Sequence, residues 1–487
     1  MKSSSVIILL LFISVGNSKE IVITGQITGE AGNKQLVYTV PIDGTCYGGF
    51  SDTLKTIDGT GAFELKFESE YPVFIKFWLT DVKKFKSVKL PVEPDNHYHI
   101  AVDARAEDIT PSGANEKGLI LYAGLPDPAF VEMEARDLRK DTSLVSIHEK
   151  IMKLKQDDSD KFKALFDVGE ISGSFYDMVK IDRDCYYAAL EAILSLGELY
   201  RRDSAENRCD VLRNLEKIYA QYPVNSSGLT VSTFWNEYAR HYLQTYMHYS
   251  KVNDDRDLVS EVVKPDARHT CLMNEAKACL SGKALEFYCA GELFSESIQK
   301  NYEKELISLF EQFKKDYPQS KYTQYIEPVI RPIVEYHKAA EQPFGESVVF
   351  MNNQADVNSL EEAIKPLKGK KIYIDIWATW CGPCKQEFEN NEALKKILAD
   401  NDVQMLYISI DNDDREKQWQ ENIKYYNLAG AHIRANKTFV TDLHRRFDKK
   451  AGKHIAIPWY ILVDESGNII REHARAPSQI VKDGKPM

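Results

Sequence analysis

From Glu20 to about Ala104 apolar and polar positions alternate in short runs: "EIVITGQITGE", "KQLVYTVPID", "GAFELKFES", "PVFIKFWLT" and "HYHIAVDA". Gly, Asp and Pro separate them, so period two and turn residues together predict an antiparallel sandwich or small barrel over residues 19–107. Between about Asp108 and Ala340 the period lengthens to three or four, as in "FYDMVKIDRDCYYAALEAILSLGELYRR" and "TFWNEYARHYLQTYMHYS", which predicts an all-α region. Two amphipathic segments there, "LRNLEKIYAQYP" and "LISLFEQFKKDYP", each stop at Tyr-Pro, a look that resembles tetratricopeptide-type hairpins. Over 341–487 the order becomes strand, helix, strand, helix, strand, strand, with "KKIYIDIWA" and "VQMLYISID" as buried strands and "WYILVDESGNIIRE" as a hairpin. Such alternation implies an α/β sheet covered by helices.

Length and composition add limits to this three-part pattern. A chain of 487 residues, 43% hydrophobic and 28% charged, is too long for one core. Its net charge of −11, without a Lys/Arg block, gives no surface for neutralising phosphates, which argues against nucleic acid. The opening "MKSSSVIILLLFISVGNSKE" sets one lysine before the apolar run Val6 to Val15 and then small or polar residues, the pattern of a cleavable export signal over residues 1–18. That run falls short of the roughly 20 residues a membrane helix needs, so the expectation is a mature protein in an exported compartment with no stable membrane insertion. Disulfides are permitted there.

Two of the eight cysteines stand three apart in "IYIDIWATWCGPCKQEF". Cys381 and Cys384 follow a strand and open a helix, with Pro383 at its start, where a missing N–H is harmless. Unpaired N–H groups and the helix dipole favour an anion at that end, so Cys381 is the expected nucleophile and Cys384, one turn in, the resolving thiol. A zinc site needs two further ligands, and no second C-x-x-C exists; His432, His444, His454 and His473 lack paired spacing. No metal or cofactor is therefore expected. The other cysteines, Cys46, Cys185, Cys209, Cys271, Cys279 and Cys289, read as buried thiols or, for the five between 185 and 289, as one or two bridges such as Cys185 with Cys209.

The stretch "WATWCGPCK" resembles thioredoxin, and "TWCGPCKQEF" is especially similar to the exported TlpA/ResA-like thiol-disulfide oxidoreductases. Ile457-Pro458 and "LVDESGNI" resemble that family's cis-proline loop and following strands. The resemblance runs from about Pro343 to Pro477 and implies a C-terminal thioredoxin fold behind the β-rich and helical regions. It implies that Asp375 is the buried acid handling the resolving thiol's proton, and that Glu387 is the glutamate of C-x-x-C-x-x-E beside it. Ile457 and cis Pro458 then present a backbone edge to substrate peptide, and Trp380 covers the disulfide. A Gly-Pro insert is that of reducing thioredoxins, so the implied activity is a periplasmic reductant of disulfide-containing exported proteins, such as apocytochrome c during cytochrome c maturation. Such a reductant needs a membrane electron donor. A disulfide oxidase or isomerase, or an envelope binding protein with an accessory thioredoxin domain, are the alternatives. Three departures carry expectations of their own: Glu389 replaces the family's helix-kinking proline, so the helix runs straighter; Trp459 after Pro458 narrows the docking edge; and the C-terminal helix is short or missing.

Overall fold

A computed structural model describes residues 19–29, 35–57, 59–80, 87–103, 105, 108–128, 130–138, 144–201, 205–226, 228–246, 267–447 and 455–484. The expected export signal, and the side chain of Cys209 with its suggested pairing, lie outside the described residues. Two compact units emerge: Met1–Glu292 with Gln312–Tyr325, and Leu293–Glu311 with Ile326–Met487.

In the first unit, strands β1 (Lys19–Thr28), β2 (Gln35–Thr39), β3 (Asp52–Thr56), β4 (Ala62–Ser69), β5 (Val73–Leu79), β6 (Val88–Val92), β7 (His97–Asp103) and β8 (Asp108–Gly113) form two four-stranded sheets. Their orders are β4-β1-β7-β8 and β3-β2-β5-β6. The alternation read in the sequence is visible as burial: β7 exposes every second residue and buries Tyr98, Ile100 and Val102. Expectation fails at one pair, because β1 runs parallel to β7. Five other strands separate these two along the chain, so no tight hairpin forces them antiparallel. The strand β8 also carries the sheet past residue 107. Ile23, Phe74 and Ile100 from the two sheets share one core with Leu119, Phe162 and Phe175 of helices Glu116–Ala123, Leu144–Asp167 and Gly173–Arg201.

The two Tyr-Pro segments are helices Ala205–Gln221 and Glu305–Asp316, each ending just ahead of its Tyr-Pro step. Proline supplies no N–H to continue the ladder. Cys46, Cys185 and Cys289 are buried thiols, and burial pushes Cys46 and Cys289 each up to about 12. Thiols held so far from ionisation are inert in exchange.

The second unit holds a six-stranded sheet built from β9 (Val348–Phe350), β10 (Lys371–Trp377), β11 (Val403–Ser409), β12 (Gly430–Arg434), β13 (Trp459–Val463) and β14 (Ile469–Arg471), ordered β14-β13-β10-β11-β12-β9. β10 is central, parallel to β11 and antiparallel to β13. Its near-continuous burial reflects helices on both faces. Ile372, Ile374 and Ile376 pack on one side with Leu443 of helix Lys437–Phe447, while Tyr373 and Trp377 pack on the other with Cys381, Cys384 and Leu394. Period two along β10 thus decides that Asp375 shares the face of the cysteines. Among the described residues no helix is long and apolar enough to cross a membrane.

Candidate redox site

Strand β10 delivers the chain through Ala378, Thr379 and Trp380 into helix Gly382–Phe388, for which Cys381 is the N-cap. Its Sγ accepts from the Cys384 N–H at 3.2 Å, so the sulfur sits where the helix presents unpaired donors. Cys381 and Cys384 are joined as a disulfide with Cα atoms 5.3 Å apart. Cys381 keeps 4% of its surface and Cys384 none, which leaves Cys381 as the sulfur within reach of an incoming partner. Trp380, the neighbour of Cys381, is 52% exposed. Trp377 is wholly buried, edge-on to Phe388.

The turn between strand and helix is pinned by residues that the sequence reading passed over. Asp411, buried after β11, accepts from the Thr379 N–H at 2.9 Å, from its Oγ1 at 2.8 Å and from Ser409 Oγ at 2.8 Å. Charge-assisted bonds of this kind are the stronger ones, and here they fix the residue two before Cys381. In sequence, Asp411 is simply an acid at a strand end. Only the parallel pairing of β10 with β11 brings it to Thr379.

Asp375 lies on the sheet face that packs against the cysteines, 1% exposed, with no hydrogen bond to its Oδ1. In register it faces Tyr407 of β11 and Tyr460 of β13, both buried on the same sheet face. Burial, and after it the charge of Glu387, hold its carboxyl well above the usual carboxylate range. Burial likewise pushes both phenols up, with Asp375 adding to the shift. Glu387 is half-buried and accepts from the N–H of Ser478 at 2.8 Å and from its Oγ at 3.0 Å. Ser478 stands in helix Pro477–Asp483, so the C-terminal helix expected to be short or missing is short, at seven residues.

Substituting Glu387→Gln removes the smaller of the two causes acting on Asp375, so its carboxyl titration moves down while staying above the ordinary range. Carboxyl-carbon NMR titration of wild type and variant measures this. An unchanged Asp375 midpoint contradicts electrostatic contact between the two acids.

The Ile457–Pro458 peptide is cis, and Ile457 packs onto the cluster that contains both cysteines. Two expectations need correction. The helix does not run straight: it stops at Phe388 and a separate helix, Asn391–Asp400, follows. Asn390 does what proline would, its N–H reaching the Glu387 carbonyl at 3.0 Å and its side-chain amide the same oxygen at 3.3 Å, which tightens and ends the turn. Nor does the Trp459 side chain narrow the edge beside Pro458 from the dithiol face. It points to the opposite sheet face, against Phe447 and His473, and Tyr460 takes the dithiol side.

The Redoxin family model matches residues 351–483. Sporulation thiol-disulfide oxidoreductase A of Bacillus subtilis is 28% identical over 111 residues, covering 22% of this chain and 62% of that protein. Thiol-disulfide oxidoreductase ResA of Bacillus thuringiensis subsp. konkukian is 26% identical over 117 residues, 24% of this chain and 62% of the relative. The chain thus spans less than two thirds of the length of these curated relatives. Among solved structures, StoA from Bacillus subtilis matches at 22% identity with a TM-score of 0.20, over 24% of this chain and 84% of that one.

Proposed function

Residues 351–483 are a redoxin domain with thiol-disulfide oxidoreductase relatives, and from that premise we propose that this protein is an exported, periplasmic reductant of protein disulfides. One observation carries the reading: a disulfide at a helix N-terminus, one sulfur reachable and one enclosed, with a buried carboxyl behind it. In the reduced protein the Cys381 thiolate attacks a substrate disulfide. The substrate S–S bond breaks, a mixed disulfide forms and one substrate thiolate leaves. Cys384 then attacks the Cys381 sulfur, closing the internal disulfide and releasing the second substrate thiolate. Two electrons pass from the protein to the substrate.

Asp375 takes the Cys384 proton as that thiol attacks and returns it when the disulfide is reduced again. Its raised pKa brings it nearer to that of a thiol, where proton transfer is closest to balanced. Glu387 acts on Asp375 by charge. Trp380, Ile457 and cis Pro458 form the substrate edge, with extended substrate backbone laid beside Pro458. The Gly-Pro insert supports the reducing direction, and the TlpA/ResA-like resemblance supports apocytochrome c cysteines as substrate and a membrane electron donor for re-reduction.

Equilibration of the full-length protein with glutathione tests direction. A midpoint near that of thioredoxin, about −270 mV, is expected; one near that of the oxidant DsbA, about −120 mV, overturns the reductant reading.

A further inference from the structure

The redox helix is only seven residues long, with Glu389 as its C-cap. Isolated helices below about 12 residues are marginal in water, so its orientation depends on what grips it from outside. Lys385, directly after Cys384, would ordinarily reach for solvent. Here it is 2% exposed, and its Nζ donates to the backbone carbonyl of Lys300 at 2.7 Å. The ammonium of Lys300 in turn pairs with Glu389, so one residue holds the helix at two points. Lys300 lies in the turn after helix Gly282–Ile298, within the Leu293–Glu311 segment that belongs to the same compact unit as the redox sheet.

That turn is itself tightly determined. Lys300 and Tyr302 both have φ of 56°, a left-handed conformation that is unfavourable for a residue other than glycine and persists only where the surroundings enforce it. Tyr302 supplies the enforcement: its ring stacks on Tyr336 at 4.3 Å, its carbonyl bonds His337 Nε2 at 2.8 Å, and its hydroxyl pairs with Tyr426. The Tyr426 ring packs at 5.2 Å on Phe388, the last residue of the redox helix. Two routes therefore lead from the turn to the helix, one polar through Lys385 and one aromatic through Phe388.

We propose that the turn at residues 300–302 is a working part of the redox site, with Lys385 as the positioning residue through which it holds the helix N-terminus and so sets the ionisation of Cys381. The proposal rests on the dithiol reading above and extends it to a segment of the helical region outside the match at 351–483. Burial pulls Lys385 down to about 8, while Asp411 and Glu303 favour its charged form and Arg415 and Lys300 oppose it. An amine held in so unfavourable a place answers to its one described acceptor, and loosening that contact frees the helix end whose N–H groups face the thiolate.

The test is a thiolate titration of the reduced full-length protein by absorbance at 240 nm, wild type against Lys385→Met, with insulin-disulfide reduction at pH 7 alongside. A helix-terminus effect of ordinary size corresponds to an upward shift of the Cys381 midpoint by about half a pH unit, with a roughly threefold fall in rate below that midpoint. An unchanged midpoint in an active, folded Lys385→Met overturns the proposal. If that variant does not fold, the surface change Glu389→Gln releases the other grip, and its midpoint must shift the same way or the proposal fails. Wild type that exchanges no disulfides sinks the dithiol reading itself, a separate outcome from an active wild type that Lys385→Met leaves unmoved.

Discussion

Cys381→Ser in the full-length protein is expected to lower disulfide reduction by about 10³-fold or more, to the rate of the uncatalysed reaction. The size follows from where the described thiols stand. Cys384 has no exposed surface, Cys46, Cys185 and Cys289 are buried thiols held far from ionisation, and the partly exposed Cys271 and Cys279 belong to the other compact unit. Cys384→Ser gives a different phenotype, because attack still occurs and only resolution is lost. It should hold substrates on Cys381 as mixed disulfides, visible on non-reducing gels and released by dithiothreitol. Equal activity of Cys381→Ser and wild type would place the chemistry elsewhere.

Asp375→Asn is expected to slow exchange on the order of tenfold to a hundredfold, toward the low end of what a positioned acid or base contributes. It should also make the redox unit more stable at pH 7. The sign follows from linkage. The folded-state pKa of Asp375 is raised above its unfolded value near 3.8, so between those two values the folded state binds a proton that the unfolded state has released. Stability from this group is therefore complete below the unfolded pKa and is lost as pH rises through the folded one. Asparagine cannot ionise and escapes that loss, so its advantage should be clear at pH 7 and shrink toward pH 4. Guanidinium unfolding at the two pH values, followed by tryptophan fluorescence, measures the difference. A variant less stable than wild type at pH 7 would mean that Asp375 is ionised and well partnered in the fold.

Much of this site was legible because its residues are close in sequence. The strand Lys371–Trp377, the cap at Cys381 and the helix Gly382–Phe388 follow from local pattern, whereas Asp375 was singled out by the family resemblance and only the structure sets it on the cysteine side. What escaped was non-local. Tyr407, Tyr460 and Asp411 reach the site through sheet order, and no periodicity reveals which strands neighbour β10. Lys385 reads as one more solvated helix lysine until the turn at Lys300 is brought over it. The reading of Trp459 failed for a related reason: adjacency to Pro458 suggested a narrowed docking edge, but a strand alternates its faces, and the first residue of β13 points away from the dithiol face. Glu389 misled because proline is only one way to end a helix, and Asn390 supplies another. In the β-rich part, alternation correctly marked strands but carried no information on direction, which is why the parallel β1 and β7 were unforeseen.

The most direct measurement is electron transfer itself, followed in the fully reduced full-length protein mixed with insulin. Each chain should reduce one substrate disulfide and finish with a Cys381–Cys384 disulfide, identified by peptide mass mapping, and Cys381→Ser should reduce none. Reduced protein that leaves insulin intact, with both thiols of the pair still free, would contradict the proposed thiol-disulfide oxidoreductase activity.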